Sequence, residues 1–167
     1  MTSTTDVIDA VVPLTPDQPS WALRRQREKV LAATQGSYDA MFSPTVEGIS
    51  MTERLLVALH ACRVSKADSL AVHYRDRLAA EGADAAVVAA VDAGKPVADT
   101  RLQAVLAFTG KLIERPIEGD RAAVQSLAES GLSTPAIVAT SQLIAFLSYQ
   151  IRVAAGLKAM AALEVSA

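Results

Sequence analysis

Helix starts and stops punctuate this sequence at short intervals from Ser50 onward. Between them, no stretch alternates apolar and polar residues between turn signals as a strand does. The clearest start is "SMTE", Ser50 to Glu53, a capping box. In such a box the Ser50 hydroxyl accepts from the Glu53 backbone N–H, and the Glu53 carboxylate reaches back to the Ser50 N–H. Leu55, Leu59 and Cys62 follow on one stripe at helical spacing. This helix is expected to fade near Val64 to Lys66, and "KADSLAVHYRDRL" (Lys66 to Leu78) to form the next, ending by Gly82. Asp84 caps a short alanine–valine helix closed by Gly94, with Pro96 just beyond. Asp99 caps "TRLQAVLAFTGKLIE", which stops before Pro116, and Asp120 opens a helix that Gly131 ends. In "LSTPAIVA", Ser133 or Thr134 caps while Pro135 takes a first-turn position where its missing N–H costs nothing. The last helix is expected to run to about Ala162.

Upstream, residues 1–19 are rich in Thr, Asp and Pro and are expected to lie extended over a single helical domain, residues 20–167. A first helix is expected from Ser20 through "WALRRQREKVLAAT", with Trp21 packing it down. Gly36 is expected to interrupt it before a short "SYDAMF" piece and the loop "SPTVEGI". The sum is an all-α bundle of about seven helices.

A length of 167 residues suits one domain with a proper core. Hydrophobic residues make up 51% of the chain but aromatics only 4%, so alanine carries much of the apolar content and lets helices approach closely. Few aromatics also leave little buried area per residue. A homo-oligomer that completes the core is therefore expected. Net charge is −2 with no long run of either sign, and "RRQREK" (Arg24 to Lys29) reads as a solvated helix face rather than a nucleic-acid patch. The N-terminus has no basic start and no long apolar block of a signal peptide. The most apolar stretch, "AIVATSQLIAFLSYQI" (Ala136 to Ile151), falls short of the ~20 residues a membrane span needs. One cysteine forms no internal disulfide, which fits a reducing cytoplasm. A cytoplasmic protein without nucleic-acid or membrane partners is expected.

The order of these pieces resembles a known family over roughly residues 20–160. "TERLLVALHA", "AVHY", "DTRLQAVLAFTGKLIERP", "LAESGLSTPAIVATSQLIAF" and "YQIRVAAGLKAM" follow one another as in the carboxymuconolactone decarboxylase and alkyl hydroperoxidase D-like superfamily. The likeness is greatest to its peroxidase-related, largely uncharacterised branch. The resemblance implies an alkyl hydroperoxidase D-like helical bundle that assembles as a dimer, trimer or hexamer. Its peroxidases carry Cys-x-x-Cys-x-x-x-His with a glutamate on the preceding helix. Carried over, the histidine falls on His73, the second cysteine on Ser69 and the first on Lys66. The glutamate falls on Arg54 by ungapped counting, with Glu53 beside it. Reduction of a peroxide by a dithiol needs one low-pKa thiolate to attack and a second thiol to resolve the sulfenic acid. An amine and a hydroxyl do neither, so dithiol peroxidase chemistry is not expected.

The candidates for chemistry are correspondingly few. His73 is the leading one, a proton donor or acceptor near neutrality, with Ser69 a turn behind and Asp76 and Arg77 a turn ahead. The alternative is a packed histidine satisfied by Ser69 or a carbonyl. Glu53 is a second catalytic candidate, although the cap explains it. Lys66, Ser69 and Arg152 are candidates for holding an anionic substrate. For Arg152, an ion pair across the bundle or an oligomer interface is the stronger reading and substrate binding the weaker. Cys62 reads as a core thiol, with one-cysteine redox chemistry as the weaker alternative. His60 reads as a partly exposed helix residue or a second imidazole. Two histidines and one cysteine make a poor metal set, and no phosphate-cradling loop is present, so neither metal nor cofactor is expected. Three readings remain open: an enzyme using His73 on a small anionic metabolite, of lyase or isomerase type; a non-catalytic helical oligomer or ligand binder; and, as the weakest, a peroxidase-related antioxidant protein using Cys62.

Overall fold

Capping chemistry sets the helix boundaries almost throughout. The computed structural model describes residues 6–165, which form nine α-helices and one 3-10 turn. The helices are α1 (Val7–Val11), α2 (Pro19–Arg25), α3 (Glu28–Met41), α4 (Met51–Val64), α5 (Asp68–Ala80), α6 (Ala85–Asp92), α7 (Thr100–Glu114), α8 (Arg121–Glu129) and α9 (Thr134–Val165). The 3-10 turn, Pro116–Glu118, separates α7 from α8, and no strand occurs among the described residues. The protein is all-α. Both bonds of the Ser50–Glu53 capping box form, at 3.1 and 2.8 Å. Asp84, Asp99 and Asp120 each accept from a first-turn N–H of α6, α7 and α8.

Helix α4 is the axis of the bundle. Leu55, Leu56, Val57, Ala58, Leu59, Ala61 and Cys62 are all buried, so it is apolar on nearly every side and must be surrounded. It packs against α5, α6, α7 and α9. Helix α9 contributes an inner stripe of Ala136, Thr140, Leu143, Leu147, Gln150 and Ala154, each buried. Steps of four and three along this stripe are the spacing of a helix that packs along its whole length.

The N-terminal third departs from expectation in three ways. First, the segment through Pro19 is not all extended, because α1 forms, capped by Asp6, and sinks Val7, Ile8, Val11 and Val12 into the core. Second, the first long helix breaks at Gln26 and Arg27 rather than at Gly36. Arg27 leaves helical geometry (φ −109, ψ 60), while an added Cβ on Gly36 would meet no other group, and α3 runs straight through it. Third, "RRQREK" is not wholly solvated. Arg24 pairs with Asp6 at 2.8 Å and with Asp9 at 2.6 Å, and Arg25 joins Asp9 at 2.5 Å. The Arg24 side chain is only 9% exposed. These ion pairs clasp α2 to α1, which explains why the chain turns where it does. Trp21 is half-buried beneath the Arg25 guanidinium, 3.7 Å from its ring centre.

A fourth departure concerns length. As one continuous helix, residues Thr134–Glu164 are long and apolar enough to cross a membrane by length and composition. Of the most apolar window, 44% is buried within the fold, and core helices of soluble proteins meet the same criterion.

Candidate functional site: a histidine, tyrosine and arginine relay

His73 projects from α5 toward α3 and is half-buried. Its Nε2 lies 2.7 Å from the hydroxyl of Tyr38, a buried residue of α3. The same phenol oxygen accepts from Arg77 Nη1 at 2.7 Å. Arginine can only donate, so the Tyr38 O–H is free to be given to His73. With Nε2 as the acceptor of that O–H, the imidazole proton sits on Nδ1. Arg77 sits one turn beyond His73 and spreads its guanidinium over Phe42 and Tyr38, 4.8 and 5.5 Å from their ring centres. The order Arg77, Tyr38, His73 is therefore a directed hydrogen-bond chain.

Electrostatics keep this chain neutral at its histidine end. Burial holds His73 below its usual pKa, the Arg77 charge adds to that effect, and Asp76 opposes it. Burial raises the Tyr38 phenol, partly offset by the charge and hydrogen bond of Arg77. A second guanidinium lies close by. Arg54 of α4 is 2% exposed and donates Nη1 to the Met41 carbonyl at 2.6 Å, at the C-terminal end of α3. Burial lowers its pKa and Arg77 lowers it further, while Glu81 acts in the other direction. Neither Arg54 nor Arg77 forms an ion pair with a carboxylate among the described residues. Asp39, Asp76 and Glu81 act on Tyr38, His73 and Arg54 from nearby without pairing to either guanidinium.

The other residues singled out in the sequence lie elsewhere. Lys66 does not belong to the helix of His73. It is the left-handed residue (φ 55) after α4, with Lys66 N–H bonded to the Arg63 carbonyl and Ala67 N–H to that of Cys62, a Schellman stop. Its side chain is exposed. Ser69 does not meet His73 either, because its hydroxyl takes the Lys158 ammonium of α9 at 2.5 Å. Glu53 is held by its cap and lies beside Arg101, with Nε 3.1 Å away but not aligned for a hydrogen bond. It lines a separate cleft of about 250 Å³ with Asp84, Val88 and Asp99. Arg152 is exposed on α9 in a groove of about 640 Å³, unpaired among the described residues. His60 borders a cleft of about 140 Å³, and burial lowers its pKa, with Arg63 adding to that. His73 lines none of these clefts, nor the two others of about 470 and 360 Å³. Cys62 is fully buried, which pushes its thiol up to about 12. That is the reverse of what a reactive thiolate requires.

Sequence reasoning placed Arg77 near His73 but missed Tyr38. The available signal was the i, i+4 pair Tyr38 and Phe42 in "SYDAMF", an aromatic patch in a chain with only 4% aromatics. No family model and no curated protein matches this sequence.

Proposed function

We propose that this chain is a carboxymuconolactone decarboxylase-like helical protein that has exchanged dithiol chemistry for proton transfer centred on His73, acting on a small anionic metabolite. The observation that carries the reading is the Tyr38 hydroxyl, 2.7 Å from both His73 Nε2 and Arg77 Nη1. A substrate C–H or O–H proton passes to the phenol oxygen as the phenol proton passes to His73 Nε2. Arg77 stabilises the negative charge that gathers on that oxygen during transfer. A raised phenol pKa keeps Tyr38 protonated at rest, so it enters the relay with a proton to give to His73. Arg54 and Arg77 supply the positive field for a carboxylate, the role the sequence suggested for Lys66, Ser69 and Arg152. The order of helices and the matched position of His73 support the family part of the reading. An intracellular setting follows from it as part of the same proposal.

The test is solvent exchange. A panel of small keto-, enol- and lactone-carboxylates is incubated with the protein in deuterated water and followed by NMR. Deuterium incorporation or turnover should fall about 100-fold or more in His73→Gln and Tyr38→Phe, with helicity unchanged. Retained activity in both folded variants contradicts the proposal.

One observation favours a second reading, a non-catalytic helical protein in which His73 is a satisfied packing residue: none of the five clefts opens on His73. Under that reading no substrate exchanges, and the same two substitutions lower only stability. Redox chemistry at Cys62 is the weakest alternative, and peroxide consumption that survives Cys62→Ser eliminates it.

A further inference from the structure

The outer face of α9 is built unlike a solvated helix surface. Opposite the buried stripe, the exposed positions Val138, Gln142, Ala145, Tyr149, Arg152, Gly156, Ala159 and Leu163 also advance in steps of four and three. A helix with one face in water normally carries charge along it. Here Arg152 is the sole charged residue from Thr134 to Leu157. Val138 is 50% exposed, Tyr149 41% and Leu163 73%. A second stripe at this spacing, made of small and apolar residues, is the pattern of a helix that meets another helix on that side too.

The surroundings of that stripe are shaped to match. It stands as a ridge between two apolar grooves. One, of about 640 Å³, lies between α9 and the end of α7 with the 3-10 turn, walled by Leu112, Pro116, Ile144 and Val153. The other, of about 470 Å³, lies between α9 and α3, walled by Val30, Met41 and Phe146. Tyr149 borders both. Ile117, on the 3-10 turn at the rim of the first groove, is 92% exposed, an apolar knob beside an apolar hole. Ridge, groove and knob on one face are the parts a self-complementary two-fold interface is built from.

Charge and size agree. Arg152 has no ion-pair partner among the described residues, and the same rim carries Glu118, held only by the exposed Arg115. From Val138 to Leu163 the ridge is about 38 Å long at 1.5 Å per residue. Over that length, an interface of roughly 800 Å² per partner needs a strip about 21 Å wide, about two helix diameters.

We infer that the outer face of α9 is the contact surface for a second copy of this chain. The two α9 helices cross antiparallel, with Ile117 of each copy seated in the groove of the other and Arg152 facing the partner's Glu118. The proposal does not depend on the chemistry at His73, which lines neither groove.

Sedimentation velocity on the full chain over micromolar concentrations tests it. The expected result is a dimer, or a higher even-numbered assembly. Ala145→Arg introduces a bulky cation at an exposed position of the ridge, and Gln142→Arg is a second substitution that the monomer fold tolerates. Both should shift the protein to monomer with unchanged helicity. Arg152→Glu should weaken association at least tenfold, and Arg152→Glu combined with Glu118→Arg should restore it. A wild-type protein that stays monomeric, or assembly untouched in both Ala145→Arg and Gln142→Arg, overturns the inference.

Discussion

The chemistry of His73 depends on which atom of it carries the proton, and Tyr38 is the group bonded to its Nε2. Asp76 and Ser69 were the partners the sequence offered, being a turn away on the same helix. Tyr38 comes from 35 residues upstream and is brought in only by packing of α3 beside α5, which local spacing cannot reveal. Because burial depresses the pKa of His73 and of His60, the unfolded chain takes up protons below about 6.5 while the native state resists. Stability is therefore full above 6.5 and falls as pH drops toward the depressed folded values. Urea midpoints measured across this range should decline with acidification, and replacing both histidines with Gln should flatten that decline. Lys66 carries a separate prediction. A left-handed lysine costs roughly 1 kcal/mol relative to glycine. Lys66→Gly should therefore raise unfolding free energy by about that amount, with any His73-dependent turnover intact. Lost turnover in this variant would return Lys66 to the site. At Cys62, burial and a pKa near 12 predict that a thiol reagent labels the native protein only at the rate of unfolding.

Most helices could be located from their own residues, since a cap and a stop are local chemistry. Ser50, Asp84, Asp99, Asp120 and Pro135 each act within a turn of where they stand, and the helices begin there. Helix α1 was missed because its evidence is spread over distance. Five residues form no stable helix alone. It exists because Arg24 reaches Asp6 and Asp9, Gln35 takes the Val7 N–H at 2.9 Å, and four aliphatics find the core. Removing the clasp with Arg24→Ala leaves two carboxylates short of their main partner at a site 9% exposed. The expected loss is about 2 kcal/mol, with amide exchange and proteolysis rising first within α1. At the other extreme, α4 is enclosed by four helices. Leu59→Ala, at a position fully buried in its middle, should cost about 2–5 kcal/mol by thermal or denaturant unfolding.

Taken as a whole, the protein is an alanine-rich bundle whose longest helix is less than half buried over its most apolar window. Low aromatic content led the sequence to an expectation of self-association, but not to a surface. The surface became visible once the inner stripe of α9 identified the outer one. A dimer formed through that face couples stability to concentration by mass action. The thermal midpoint of the wild type should rise as protein concentration increases, while that of Gln142→Arg stays fixed.

The hydrogen-bond chain that runs from Arg77 through Tyr38 to His73 can be examined without knowing any substrate. Nitrogen-15 NMR of the His73 imidazole reports both the tautomer and the titration. A neutral ring protonated on Nδ1, titrating below its ordinary value and changing both properties in Tyr38→Phe, is the expected result. A ring protonated on Nε2, titrating near 6.5 and indifferent to the loss of the phenol, would contradict it.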